Sequence, residues 1–580
     1  IEPEVFHTNE GHAGFLGLER IRRLMQEQGL DAATAIETVR AGTIFTTHTP
    51  VSAGIDRFPH SFIERYFGPD GVETGLDARQ IIELGAEPEG DGSLFNMAVM
   101  GLRLAQRANG VSRLHGHVSR DMFRGLWPGF ETDEVPIGHV TNGVHAGTWV
   151  NAEWTELFER HLGPDYRLSD QPWTPLLDLP DQDVWEVRRV ARQRLVDDVR
   201  ARLKRAWRAR GASEGQLGWI DRAFSADVLT VGFARRVPSY KRLTLLLEDS
   251  ERLTRLLLDE DRPIQLLIAG KAHPADEGGK QLIADFARFA ADAKVRHRVA
   301  FLPDYDMAMA RTLVAGADVW LNTPLRPYEA CGTSGMKAAL NGCLNLSIRD
   351  GWWDELYDGH NGWAIPSADD PTIEPDRRDQ LEAASIYDLL EHEVLPLFYD
   401  RPDGLPRRWI SLVKHNLVSL GPAVLASRMV RDYTEAYYLP SSLTSRKLAA
   451  DGFAASRELA TWKRRIAAAW PAVAVRRVEN GARERLLGAR FTVRAVVELG
   501  ELDPGEVEVQ AAYGRVDDAD ELTAVELATL KQNGQRTEGG WVFEGEVPLA
   551  TPGAFGYTVR VVPRHPGLAT ASELGLVAWA

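Results

Sequence analysis

The chain has 580 residues, 44% hydrophobic and 26% charged, the make-up of a folded protein of three or four domains rather than a small binding module, a fibre or a disordered chain. Its 67 Lys and Arg against 83 Asp and Glu leave a net charge of −16, so no nucleic-acid partner is expected and any anionic ligand needs a local basic pocket. Two cysteines, Cys331 and Cys343, build neither a disulfide framework nor a four-thiolate zinc site, and they fit a reducing compartment, with the cytoplasm as the expectation.

In chain order, apolar residues at helical spacing predict helices over 13–28 and 32–39, and the β-branched run 43–46 predicts a strand feeding a Pro/Gly-rich loop at 48–59. The stretch 94–127 reads as helical, 137–140 as a strand ending in Thr141-Asn142-Gly143-Val144-His145, and 182–210 as an Arg-rich helix with a solvated face. Strands at 229–233, 264–269, 298–302, 318–321 and 343–346 alternate with helices, the mark of a parallel α/β sheet. A basic helical stretch at 441–470 follows as a linker or clamp. The segments 491–497, 505–513, 540–547 and 555–562 then predict an appended β-sandwich. The longest apolar run, 466–475, is about half the ~20 residues a membrane span needs and contains Pro471, so no span is expected. The opening Ile1-Glu2-Pro3-Glu4-Val5-Phe6-His7 shows no signal peptide and reads as if entered in mid-domain.

Ligands of an open parallel sheet bind outside the carboxyl ends of its strands, and cations gather there. The first strand of the α/β region runs into Arg235-Arg236-Val237-Pro238-Ser239-Tyr240-Lys241-Arg242, the second into Gly270-Lys271-Ala272-His273-Pro274, and the third into Pro303-Asp304-Tyr305-Asp306. Such a rim suits a phosphate-bearing ligand, although any one of these cations is better explained as plain surface charge. The segment Tyr328-Glu329-Ala330-Cys331-Gly332-Thr333-Ser334-Gly335-Met336-Lys337 sets two glycines and two hydroxyls before an Ala-rich helix, a turn able to face an anion with backbone N–H groups. It has no Walker frame. Lys337 is read in the first turn of that helix, where desolvation and nearby cations would lower its pKa as a Schiff-base lysine requires.

With these motifs in hand, the chain resembles the α-glucan (glycogen/maltodextrin) phosphorylases of the short bacterial type. The resemblance rests on Asn9-Glu10-Gly11-His12, Thr46-Thr47-His48-Thr49-Pro50, Val140-Thr141-Asn142-Gly143-Val144-His145, the 235–242 run, Gly270-Lys271-Ala272-His273-Pro274 and the 329–337 segment, in family order over roughly 1–365. It implies a two-domain GT-B glycosyltransferase fold: 1–225 the remainder of a first, incomplete Rossmann-like domain, 226–440 a second that binds the cofactor, 441–489 a helical linker and 490–580 a β-sandwich-like domain. It implies pyridoxal 5′-phosphate as a Schiff base on Lys337, its phosphate acting as proton shuttle and lined by Thr333, Ser334 and Arg235, with Tyr305 beside it and Trp149 facing the ring. Arg236 and Lys241 match a clamp on the substrate phosphate. Glu329, Cys331 and Gly332 match a strip for the sugar hydroxyls, with Asn142, His48 and Tyr240 completing the glucose pocket, and His48 counted with Arg236 and Lys241 among the catalytic residues. The implied partners are α-1,4-glucan and inorganic phosphate, with a homo-oligomer left open.

Cys331 stands where the family usually has Ser, and Pro238-Ser239 where animal enzymes often have His-Glu; neither change removes a matched cation. The family also carries a long N-terminal segment with a glycine-rich loop, which does not occur here, so the chain reads as N-terminally truncated and inactive alone. Two rival readings stay open, a nucleotide-sugar glycosyltransferase of the same fold and a non-catalytic glucan-binding protein. His7 and His12 lack H-E-x-x-H order and predict a buried hydrogen-bonded pair rather than a metal site, His115 and His117 predict capping or packing, and Trp352-Trp353 predict core.

Overall fold

Three larger sheets organise the chain. The computed structural model describes residues 2–580 apart from 70, 89, 91, 169–170, 237–241, 275, 481–486 and 551, and of Arg236 and Asn480 the backbone only. The chain forms two compact units, one of Ile1–Asn109, Gly116–Gly138 and Glu435–Ala580, the other of Gly110–His115 and His139–Thr434.

In the first unit, Thr43–Thr46 is a fully buried strand within a four-stranded sheet of order Phe6–Asn9, Thr43–Thr46, Arg107–Gly110, Ile137–His139, the first three strands parallel. The helices Phe15–Gln28 and Ala32–Ala41 bury Leu18, Ile21, Ala35 and Val39 in one cluster, and Asp31 caps the second by accepting from the Thr34 N–H. The stretch 94–127 is not one helix. It holds the strands Leu94–Asn96 and Arg107–Gly110 and the helices Met97–Arg103 and Arg113–Phe123. Arg107–Gly110 is short and polar, but pairing with Thr43–Thr46 fixes it as strand, and the Asn109 side chain accepts from the Thr46 hydroxyl at 2.8 Å.

The C-terminal sheet is antiparallel, in the order Ala474–Asn480, Arg490–Glu498, Gly540–Pro548, Leu522–Thr537, Val507–Val516, Phe555–Pro563, Ala578–Trp579. Ala474–Asn480 lies within the stretch read as a helical connection. The long strand Leu522–Thr537 pairs through its first part with Val507–Val516 and through its second with Gly540–Pro548. Alternating residues Phe491, Val493, Ala495 and Val497 share one core with Val507, Val509, Ala511, Val559 and Val561.

That core also takes in Leu459, Trp462 and Ile466 of the helix Leu439–Ala469, which breaks at Ala450–Phe453, where Asp451, Gly452 and Phe453 take φ of 50°, 62° and 68°. The tail is therefore knit into the first unit instead of being appended to it. Lys463 Nζ reaches Glu37 at 2.7 Å and Glu573 at 2.8 Å, and Arg40 Nη2 meets Glu573 at 3.0 Å. Further along, Gln106 Nε2 donates to the Gly567 carbonyl at 3.0 Å and Trp579 Nε1 to the Gly129 carbonyl at 2.8 Å.

The second unit is built on a six-stranded parallel sheet in the order Gly362–Ile365, Leu344–Ile348, Val319–Asn322, Leu229–Arg236, Ile264–Lys271, Val299–Leu302. Helices cover both faces, so its strands read as apolar runs without alternation. The helix Asp181–Ala209 corrects the solvated reading of its arginines: Arg188 and Arg192 are 1% and 2% exposed. Arg188 donates to the carbonyls of Ala315, Ala317 and Asn341, and both guanidiniums meet Asp318, at 3.4 and 3.0 Å. Asp318 also accepts from the Thr230 N–H at 3.0 Å, which pins the helix to the sheet. Among the described residues no helix is long and apolar enough to cross a membrane.

Candidate active site

The chain enters the six-stranded sheet at Leu229–Arg236, proceeds to one edge, and returns to Val319–Asn322 on the other side. Strand order reverses between these two neighbours, and in an open parallel sheet ligands bind outside the carboxyl ends at such a switch point. Arg235, next to last in its strand, places Nη2 2.8 Å from Glu329 Oε2, on the segment that follows Val319–Asn322. Both side chains are nearly buried, and Arg235 Nη1 is buried with no hydrogen-bond partner among the described residues. Tyr305, beyond Val299–Leu302, is half-buried; burial pushes its hydroxyl pKa up, and Arg235 pulls it down.

Lys337 lies in the last turn of the seven-residue helix Thr333–Ala339, not the first, so the dipole favours its charge there. Its pKa is lowered by burial, the cause found among the described residues. The amine stands 4.0 Å from the centre of the Trp149 ring. Asn341, which sequence reasoning passed over, fixes this pair: its Nδ2 donates to the carbonyls of Trp149 and Lys337, both at 2.8 Å. Its own carbonyl accepts from Trp154 Nε1 and from Arg188. Thr333 and Ser334 open the helix half-buried, and Ser334 Oγ accepts from Trp320 Nε1 at 3.1 Å.

The strip before that helix turns at Gly332, which has φ 84° and is packed so that a Cβ would lie 3.3 Å from Glu329 Cγ. Cys331 is buried; burial pushes its thiol pKa far up, so it is no nucleophile, and the Asn142 backbone N–H lies within its reach. The main chain of Asn142 is clamped, its N–H donating to the Val111 carbonyl at 3.1 Å and its carbonyl accepting from Arg428 at 2.9 Å. Ser112 Oγ donates to the Ala330 carbonyl at 2.6 Å. Beneath the strip lies Asp350, 3% exposed, with burial raising its pKa to about 7 against the pull of the Glu329 and Gly351 N–H groups. Its Asp-Gly dipeptide reads in sequence as a mere turn; only its place at the carboxyl end of Leu344–Ile348 pointed here.

Thus Arg235, Tyr305, Glu329, Cys331, Gly332 and Asn142 are linked through neighbouring contacts beyond the strand ends, and Lys337, Trp149, Thr333 and Ser334 gather around the helix that follows. Tyr240, Lys241 and the Arg236 side chain lie outside the described residues. Arg242 is structural: buried at φ 46°, it pairs with Asp379 and Glu382 and donates to the Thr323 and Pro324 carbonyls. His48 belongs to the first unit, exposed, with Nε2 3.1 Å from Asn9 Oδ1 and its N–H donating to Glu10. His7 and His12 do not form a buried pair: His12 is exposed, and His7 hydrogen-bonds Tyr438 at 2.9 Å and Thr46 at 2.7 Å. His115 packs, accepting from the Val111 N–H, whereas His117 is exposed. Trp352 and Trp353 are core.

The profile of the carbohydrate phosphorylase family matches residues 2–358, and that of the glycogen phosphorylase C-terminal domain matches residues 470–580. A glycogen phosphorylase of Mycobacterium tuberculosis is 56% identical across 100% of this chain and 68% of its own length. A maltodextrin phosphorylase of Thermococcus litoralis is 37% identical with the same coverage, and a glycogen phosphorylase of Aquifex aeolicus is 42% identical across 75% of this chain and 62% of its own.

Proposed function

The chain belongs to the carbohydrate phosphorylase family, and from that premise we propose that it catalyses the reversible phosphorolysis of α-1,4-glucan. Inorganic phosphate enters and α-glucose 1-phosphate leaves the glucan end with retention, on a GT-B arrangement with pyridoxal 5′-phosphate carried by Lys337. The observation that carries this reading is Lys337 itself: a half-buried amine against the Trp149 ring, with no carboxylate paired to it among the described residues. A nucleotide-sugar transferase has no use for such a lysine.

The residues fit that cofactor. Burial makes the neutral, nucleophilic amine available at a lower pH than in an exposed lysine. Arg235 Nη1 is a buried donor that a phosphate would satisfy, with the Thr333 and Ser334 hydroxyls as further donors and Tyr305 beside Arg235. When bound, pyridoxal 5′-phosphate supplies a phosphate able to exchange a proton with the substrate phosphate.

The remaining work belongs to the chain. Arg236 and Lys241 hold the substrate phosphate with charge-assisted bonds worth about 1.5–3 kcal/mol each. Glu329 accepts from a sugar hydroxyl, the N–H groups of Cys331 and Gly332 donate to others, and Asn142 and Tyr240 complete that side of the pocket. As the glycosidic bond breaks, positive charge develops at the anomeric carbon beside the clamped phosphate, which also protonates the leaving oxygen, so no carboxylate pair is needed. The test is borohydride reduction and peptide mapping of the purified protein, alongside glucose 1-phosphate formation from maltodextrin and phosphate. A pyridoxyl group on Lys337 is expected; a label on Lys241 or Lys271, or phosphorolysis by a Lys337→Ala protein, would overturn the assignment.

A further inference from the structure

Asp350 has no part in the contacts proposed above, yet it is a carboxylate buried directly under them. It follows the strand Leu344–Ile348, and each of its oxygens accepts one backbone N–H: Oδ2 from Glu329 at 2.9 Å and Oδ1 from Gly351 at 2.8 Å. Gly351 is in turn pressed against the strip. At its φ of 55° a Cβ would lie 2.3 Å from the Cys331 carbonyl oxygen, and that same oxygen accepts from the Trp352 N–H at 3.0 Å. The turn 349–351 and the strip 329–332 are thereby joined at both ends. Glu329 is held twice, its main chain by Asp350 and its carboxylate by Arg235 at 2.8 Å.

A neutral cap would stabilise an ordinary turn without the cost of burying a charge. What a carboxylate adds is a second acceptor in the same plane. An asparagine of the same shape has one acceptor and would set its NH₂ against the other N–H. We propose that Asp350 is a positioning residue for Glu329, holding the sugar-facing strip in register by accepting from the Glu329 and Gly351 N–H groups together. The inference rests on the reading of Glu329 as a sugar ligand given above.

The test is Asp350→Asn in the cofactor-loaded protein, with glucose 1-phosphate and inorganic phosphate titrated separately by calorimetry and the cofactor followed by its absorbance. Glucose 1-phosphate affinity should fall about tenfold or more, the worth of one hydrogen bond to a charged group. Phosphate affinity and cofactor absorbance should stay within about twofold. In a cycle with Glu329→Gln the two losses should be strongly non-additive, since Asp350 acts through Glu329. Should Asp350→Asn not be recovered folded, Asp350→Glu, which keeps the charge but is too long to serve both N–H groups, should lose sugar affinity in the same selective way. Unchanged glucose 1-phosphate affinity, additive losses, or equal losses of phosphate and cofactor would overturn the inference alone. A wild-type protein that binds no glucose 1-phosphate would overturn the functional reading and this inference with it.

Discussion

Replacing Glu573 by Gln tests whether the tail is a structural part of the first unit. The carboxylate is 5% exposed and serves Lys463 at 2.8 Å, Arg40 at 3.0 Å and the Ala569 N–H at 2.7 Å. Burial by itself would push its pKa up; Lys463 and Arg40 overcome that and hold it at about 2, against an ordinary 4.5. At about 1.4 kcal/mol per factor of ten, the difference is worth about 3 kcal/mol. That agrees with the ~3–5 kcal/mol cost of breaking a buried pair by removing one partner. Because the folded pKa lies below the unfolded one, this stabilisation is present above about pH 4.5 and lost as pH falls through about 2. Hydrogen exchange on peptides from Ala32–Ala41 and Leu439–Ala469 should therefore show roughly hundredfold weaker protection in Glu573→Gln at pH 7. The difference from wild type should shrink toward pH 2. A loss under about 1 kcal/mol at pH 7, or one independent of pH, would refute the reasoning.

Arg188→Met leaves the Ala315, Ala317 and Asn341 carbonyls and Asp318 short of a donor, so denaturant unfolding should show the second unit weakened by about 3–5 kcal/mol, and loosening of Asn341 should lower cofactor retention in the same preparation. Gly351→Ala forces a Cβ onto the Cys331 carbonyl at a φ that side chains avoid, and a cost of about 2 kcal/mol or more should appear by thermal unfolding together with loss of glucose 1-phosphate binding. Burial raises Asp350 to about 7, so it binds its proton more tightly folded than unfolded; its stabilisation is complete below about pH 4 and lost as pH rises through about 7. Wild-type stability should thus decline more steeply over that window than Asp350→Asn, and parallel profiles would contradict this.

The five strands expected between 229 and 346 were legible because a parallel sheet covered on both faces demands unbroken apolar runs, which Ile264–Lys271 supplies almost to its end. Arg107–Gly110 carried no such run; it is a strand because its neighbour pairs with it. Leu522–Thr537 reads as readily for a helix, and two flanking strands decide otherwise. At the site, motifs located Glu329, Gly332 and Lys337 because a glycine at positive φ and a following helix constrain residue types locally. The buried arginines, Asn341 and Asp350 were not legible, since a charge or amide is buried only where distant carbonyls and N–H groups come to meet it, and those partners lie up to 192 residues away.

The crossover of Leu522–Thr537 from one set of partners to the other has a practical use. Its pairing skips at 533–535, every residue from 531 to 539 is exposed, and no atom lies within 4 Å of where a Gly534 side chain would start. Added chain there meets solvent on all sides and lengthens an existing slack, while both halves of the strand keep their neighbours. An epitope or fluorophore-binding peptide spliced in at this bulge gives the enzyme a handle for immobilisation or single-molecule tracking at a point that takes no part in the pairing on either side.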